Sequence, residues 1–327
     1  MMKQFILTGL FIVLSTVAIW AQQTDVPVAM YVEGEVWYEN GGARSRVYTG
    51  TKLSTTGQLT LSKNSAIELI HNEKFVKLNK AGKHDLTALV GGGQSGDNFV
   101  KRFSNFVSNG LDQSASNKNL EQSYQKNQGN ARGNIRGYTD AGLAGLLPIG
   151  GNLSPALTTF TWPEGRAGGY YEFQIVDSLS DELVLLALSD KSSWPVDLRR
   201  LHMEAGRTYF WEVYYRKAAT AEPTSLGGSN DEEKTPRLSF RVVPNRQQML
   251  IDEVRKEAVY RDASGPAQKL MIEAMVLEDG GFLYAADELY RKGLTAEANN
   301  LLLKRSYAAF LARQQQVGSA KAILGYK

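Results

Sequence analysis

The amino-acid sequence predicts a multidomain chain, mainly β with an all-α C-terminal part: a small antiparallel β-domain, a β-sandwich and a short helical repeat. Three observations carry this. Strand-sized alternations of apolar and polar residues recur about ten residues apart between residues 26 and 89, split by Gly, Asn and Lys turns. A second series, between residues 153 and 243, alternates with aromatic side chains on its apolar face. Beyond residue 244 the apolar period changes from that of a strand to that of a helix. A chain of 327 residues has room for two or three such cores.

Residues 1–21, "MMKQFILTGLFIVLSTVAIWA", have the layout of a secretory signal peptide. Lys3 gives a basic start, an apolar run follows, and small residues stand at Ala18 and Ala21 before the polar "QQTD". The expected cut follows Ala21; retention as an anchor is the competing reading, because the run nearly reaches spanning length. No second run of that length follows. No integral membrane span is therefore expected after signal removal, and the expected location is the periplasm or the exterior. The chain has no cysteine, which excludes disulfides, thiolate metal sites and a lipid-bearing cysteine. A net charge of +3 with interspersed signs gives no electrostatic basis for nucleic-acid binding.

Residues 22–90 form the first β-domain. "YVEGEVWYEN" alternates like a half-buried strand and ends at Gly41-Gly42, a turn signal, with Gly34 expected at a bulge or close backbone approach. "VEGEVWYENGG", "YTGTKLSTTGQLTLSKNSAIELI" and "FVKLNKAGKHDL" together resemble the periplasmic FecR-type domain, with its V-x-G-x-V opening strand, G-x-x-L pair and closing V-x-L strand. The match covers about a fifth of the chain. It implies a binding domain of an envelope-signalling kind; the family's cytoplasmic segment and internal span are not matched, so the domain type alone is expected to carry over.

Residues 91–150 change character and are expected to be a short helix followed by a polar flexible linker. Phe99, Phe103, Phe106 and Val107 fit one helical face, whereas residues 114–137 offer few apolar side chains to bury. In residues 151–244, "TTFTWPE", "GYYEFQIVD" and "RTYFWEVYY" put Phe160 with Trp162, Tyr171 with Phe173 and Ile175, and Tyr209 with Trp211, Val213 and Tyr215 on shared faces. Leu201 and Tyr209 ahead of "YFWEV" resemble the tyrosine corner of fibronectin type III and related immunoglobulin-like sandwiches. In residues 245–327, Met249, Ile251, Val254 and Val259 keep helical spacing, and Pro266 suits the first turn of a further helix. Gly281, Ala285, Ala286, Tyr290 and Leu294 resemble the signature positions of a tetratricopeptide repeat. Only about one and a half repeats fit, so they must pack on flanking helices or on the sandwich.

Few residues suggest chemistry. Gly91, Gly93 and Gly96 satisfy G-x-G-x-x-G between a strand-like and a helix-like stretch, but a dinucleotide site needs a second strand ending in an acid about twenty residues on, and "QSASNKNLEQ" stands there. His71, His84 and His202 belong to no ligand spacing. The acidic clusters at 180–182 and 230–234 lie in turn-like sequence. No catalytic residue, metal or cofactor is therefore assigned. Four aromatics out of phase with the core, or in a turn, are the candidate partner-binding residues: Tyr170, Phe210, Tyr214 and Trp194. The expected function is a non-enzymatic, exported cell-envelope adaptor that binds a protein partner. The alternative is a glycan- or peptidoglycan-binding protein using the sandwich aromatics.

Overall fold

The computed structural model describes residues 26–71, 74–91, 98–128, 143–164, 169–216 and 234–326. The expected signal segment, Gly93, Gly96, residues 129–137 of the expected linker and residues 230–233 of the second acidic cluster lie outside them. The observed class is the expected one: mainly antiparallel sheets over the first two-thirds, then a run of helices.

"YVEGEVWYEN" proves to be two strands in two sheets. Its first half lies in β1 (Val28–Glu33), which pairs with β5 (Ala66–His71) and through it β6 (Lys74–Leu78). Its second half is β2 (Val36–Asn40), in a four-stranded sheet with β3 (Ala43–Arg46), β4 (Gln58–Leu61) and β7 (Gly82–Asp85). Gly34 makes the crossing at φ +71°, and a Cβ there would lie 2.5 Å from Ser65 Oγ. That hydroxyl accepts the Glu35 N–H at 2.9 Å. The bulge falls instead between Ala29 and Tyr31. Val36, Leu59, Leu61, Ile67 and Leu69 fill the space between the sheets, closed by Leu86 and Val90 of α1 (Leu86–Gly91).

The segment after α1 departs from expectation. Residues 98–128 form α2 (Asn98–Gln113) and α3 (Asn117–Gln128), so the part of the expected linker from residue 117 to 128 is helical. Phe103, Val107 and Leu111 recur every fourth residue, and with Leu120 they are wholly buried. Phe99, Val100 and Phe106 pack against the same core half-buried, and other contact positions are small. Ser104, Ser114 and Ser123 are buried, and a Cβ on Gly110 would lie 3.7 Å from Ser306 Cα, so the helices approach closely.

Their partners come from the other end of the chain. α4 (Arg246–Val254), α5 (Ala258–Asp262), α6 (Pro266–Asp279), α7 (Leu283–Ala296), α8 (Leu301–Arg313) and α9 (Val317–Leu324) share one core with α2 and α3. Met271, Met275, Phe282, Tyr290 and Phe310 lie at its centre. Met249, expected on the buried face of α4, is exposed. This helical body is therefore assembled from two stretches of chain separated by the sandwich.

In the sandwich, β9 (Leu157–Thr161) and β12 (Ser193–Asp197) form one sheet. The other has the order β11 (Leu183–Ser189), β10 (Tyr170–Asp177), β13 (Thr208–Arg216), β14 (Leu238–Val242), β8 (Asn152–Leu153). Only the short β8 runs parallel to its neighbour. The strand phase is as read from the sequence: Phe160, Trp162, Phe173, Trp211 and Phe240 pack between the sheets. Phe160 meets Phe173, Trp211 and Phe240 at ring separations of 5.0, 5.4 and 5.8 Å. Each such ring contributes roughly 1.5–3 kcal/mol by burial. The Tyr209 hydroxyl accepts the Glu204 N–H at 2.8 Å, and the Trp211 indole N–H donates to the Pro148 carbonyl at 2.9 Å.

Both β-domains dock on the helical body. The Asn152 backbone N–H donates to the Gly281 carbonyl at 2.7 Å and its side-chain amide to that of Gly280 at 2.9 Å. Gly151, at φ +87°, has no room for a Cβ against the Gly281 oxygen. On the first domain, the buried Glu68 carboxylate accepts the Ser264 hydroxyl and pairs with Lys77 at 3.0 Å. Gly50 lies against the start of α8, where a Cβ would sit 3.0 Å from Leu302 N.

Candidate binding surface of the sandwich

Three of the four candidate aromatics share a face. The cross-strand pairs Tyr170–Arg216, Glu172–Tyr214, Gln174–Glu212 and Val176–Phe210 alternate with the core-filling pairs, so they point away from the core. Tyr170 is exposed and Phe210 half-buried, but Tyr214 is only 5% exposed. Trp194 does not join them. It lies opposite Phe160 on the other sheet and is half-buried against the sandwich core. The expected four-residue aromatic surface is thus not assembled.

Charge explains why these rings are not free platforms. The Arg237 guanidinium lies 5.2 Å from the Phe210 ring, and Arg216 and Lys234 lie 5.4 and 5.5 Å from that of Tyr214. Arg216 also donates to Glu172 at 3.0 Å, and Arg237 to Glu212 at 3.0 Å. Glu172, Gln174, Glu212 and Arg216 are all buried. An unpaired carboxylate there would be strongly destabilising, so the cations are committed to this sheet. Burial, and then the Glu212 carboxylate, raise the Tyr214 hydroxyl above the ordinary tyrosine value and keep it neutral. The face is polar, ordered and internally satisfied.

What remains accessible lies at its margin. Leu183 and Leu188 of β11 are 46% and 48% exposed, and Leu179, in the preceding turn, is 82% exposed. The sequence reading did not single out "ELVLLALSD". A six-residue apolar run, Leu183 to Leu188, has the same signature at the centre of a sheet as at its edge.

Two hollows adjoin the sandwich. One, of about 210 Å³, is lined by Trp162, Tyr171, Tyr215, Pro163, Pro236 and Lys234 at one end of the domain. The Trp162 indole N–H beside it is buried without a hydrogen-bond partner. The other, of about 340 Å³, lies where the sandwich meets the helices, among Asn127, Asn152, Glu278, Asp279, Arg313 and Gln315. There the Tyr290 hydroxyl donates to one oxygen of Glu278 at 2.8 Å, and Arg313 donates to the other at 2.7 Å and to Gln113 at 2.9 Å. Burial, reinforced by Glu278, holds Tyr290 well above the ordinary tyrosine range. With both carboxylate oxygens engaged, this cluster joins α2, α6, α7 and α8.

The histidines do not converge: His71 is buried in β5, the His84 ring bonds the Lys80 carbonyl at 2.8 Å, and His202 is exposed after β12. Among the described residues no group of three or more His, Asp or Glu side chains could hold a metal ion. No helix among them is long and apolar enough to cross a membrane. No protein-family model matches the chain, and no curated protein matches it in sequence.

Proposed function

We propose that the protein is a non-enzymatic, exported cell-envelope adaptor, in which one helical body holds two β-modules and presents the sandwich to a protein partner. The observation that carries this reading is the docking of both modules on that body. Asn152 clamps the Gly280–Gly281 turn from one side, and Ser264 is held by the buried Glu68 from the other. Such joints fix the two outer surfaces relative to each other, which a scaffold for partners requires and a lone enzyme domain does not. The FecR-type, fibronectin-like and tetratricopeptide-like resemblances favour the same class, because each implies binding rather than turnover.

The test is site-specific photo-crosslinking in cells that export the full chain. A crosslinker at exposed Tyr170 should capture one defined envelope protein, and a crosslinker at exposed Met249 on the helical body should not. Equal capture from both positions, or from neither, would refute the reading. A glycan-binding reading is favoured by one feature, the hollow lined by Trp162, Tyr171 and Tyr215, whose ring faces and unpartnered indole N–H suit a sugar. Retention on isolated peptidoglycan or polysaccharide, abolished by Tyr215→Ala, would establish that reading in place of the first.

A further inference from the structure

The joint between the sandwich and the helical body encloses a space walled by both. The hollow of about 340 Å³ has Gly151, Asn152 and Ser239 of the sandwich on one side and Asn127, Glu278 and Gln315 of the helical body on the other. Its volume is at the lower end for small-molecule sites, which favour such joints. Gln315, just after α8, stands in the left-handed region at φ +64° and is only 3% exposed. Its side-chain Nε2 is buried without a hydrogen-bond partner. A buried amide costs free energy until it is satisfied, so this unmet donor in the wall calls for an acceptor inside the hollow.

The walls also select the kind of occupant. Their charges are already balanced: Glu278 is paired with Arg313 at 2.7 Å and Asp279 with Arg102 at 2.6 Å. A net charge on the ligand would enter among both signs with no counterion left for it. No aromatic ring lines the hollow among the described residues, so a flat base has nothing to stack on. Hydrogen-bonding groups of both kinds are plentiful. The amides of Asn127, Gln314 and Gln315 and the Ser239 hydroxyl can each donate and accept. Among the described residues Arg313 spends two of its five N–H groups, on Glu278 and Gln113. Ile149 and Leu283 add apolar contact. Hydroxyl groups, each both donor and acceptor, on a small C–H framework match that set.

We propose that this hollow binds a neutral sugar ring, free or at the end of a glycan, which bridges Ser239 to Gln315 and so locks the sandwich to the helical body. This goes beyond the adaptor reading and does not depend on it, and the site is distinct from the aromatic hollow around Trp162. Because its walls come from two parts of the molecule, the site exists only while they are docked. Sugar and joint are therefore linked: whatever free energy binding supplies also stabilises the docked arrangement.

The test titrates the full chain, by calorimetry, with glucose, galactose, mannose and N-acetylglucosamine up to about 50 mM, and with glucuronate and glycine as charged comparisons. At least one neutral sugar should bind, and the charged molecules should not. Gln315→Gly removes the amide and suits a positive φ, and Ser239→Ala alters the opposite wall. Each should weaken binding at least about fivefold with unchanged far-UV circular dichroism, whereas Tyr215→Ala, in the other hollow, should leave it as it is. At ten times its dissociation constant the sugar should slow proteolytic release of the sandwich about tenfold. Tighter binding of a trisaccharide than of its single sugar assigns the end of a glycan, and equal binding assigns the free sugar; either supports the proposal. Four results would each overturn it: no neutral sugar bound over that range, which would mean a hollow filled by water only; tighter binding of glucuronate or glycine; binding undiminished in both wall variants; or binding that leaves the joint unprotected.

Discussion

Trp211 offers a quantitative test of the sandwich core. It is fully buried, its ring lies 5.4 Å from that of Phe160 and 6.2 Å from that of Phe173, and its indole N–H satisfies the Pro148 carbonyl. Trp211→Ala removes the ring, leaves a cavity and orphans that carbonyl, which should destabilise by about 3–5 kcal/mol. If the sandwich unfolds as a unit of under about 100 residues, each kcal/mol lowers the melting temperature by roughly 4–8 °C. Trp211→Phe separates the contributions. It keeps most of the aromatic packing but still strands the Pro148 oxygen, so roughly 1–3 kcal/mol of loss should remain. Urea titration followed by far-UV circular dichroism gives both values. An unchanged midpoint for Trp211→Ala would mean that the strand phase is wrong. Equal losses for the two variants would mean that the hydrogen bond, rather than the ring, holds the site.

Two further perturbations probe other joints. Gly151→Val should destabilise by at least about 1–3 kcal/mol, because φ of +87° disfavours a β-branched residue and the Gly281 carbonyl cannot recede without opening the joint; limited proteolysis should then release the sandwich, and an intact digestion pattern would show that the docking is not held there. Burial pushes the Asp177 carboxyl up, but the Leu179 and Ser180 N–H groups and the Arg207 guanidinium outweigh it and hold its value below that of an ordinary aspartate. Its stabilisation is therefore fully present above the ordinary aspartate value of about 4 and is lost below it, as pH falls through the lowered folded-state value, so Asp177→Asn should flatten the fall of the melting temperature below about pH 4, and an unchanged slope would refute the role assigned to Asp177.

How much of this was legible depended on whether a local pattern has one physical meaning. Large aromatics at period two, as in "YYEFQIVD" and "RTYFWEVYY", can bury their rings on one face only, so Phe173 and Trp211 were placed from the sequence. Residues 117–128 were misread because their composition is polar, and the helix there is held by Leu120 and by partners from α8 and α9, almost two hundred residues on. "YVEGEVWYEN" was read as one strand because alternation continues across Gly34, although the chain changes sheets there. Tyr214 was expected at the surface because its phase is outward; its burial arises beside paired charges on the same face, which no period reports. The edge position of β11 depends on sheet order, a property of the whole domain and not of its seven residues.

The parallel pairing of β8 with β14 has a consequence for how the molecule assembles. It places the segment where the chain enters the sandwich beside the segment where it leaves, with Asn152 opposite Arg241 and Leu153 opposite Val242. The helical body needs α2 and α3 to meet α4 to α9 across the whole of that intervening chain. While the sandwich is unfolded, this is the closure of one long floppy loop. Once the sandwich has folded, its two ends are adjacent strands about 5 Å apart, and only residues 129–151 towards α3 and residues 243–245 towards α4 remain to be closed. Loop-closure entropy varies with the logarithm of length, so this head start is worth about 1 kcal/mol, a modest gain in stability. Its larger effect is on sequence of events. The N-terminal helices, with Phe103, Val107 and Leu111 unburied, wait for the domain made after them to hand over their partners.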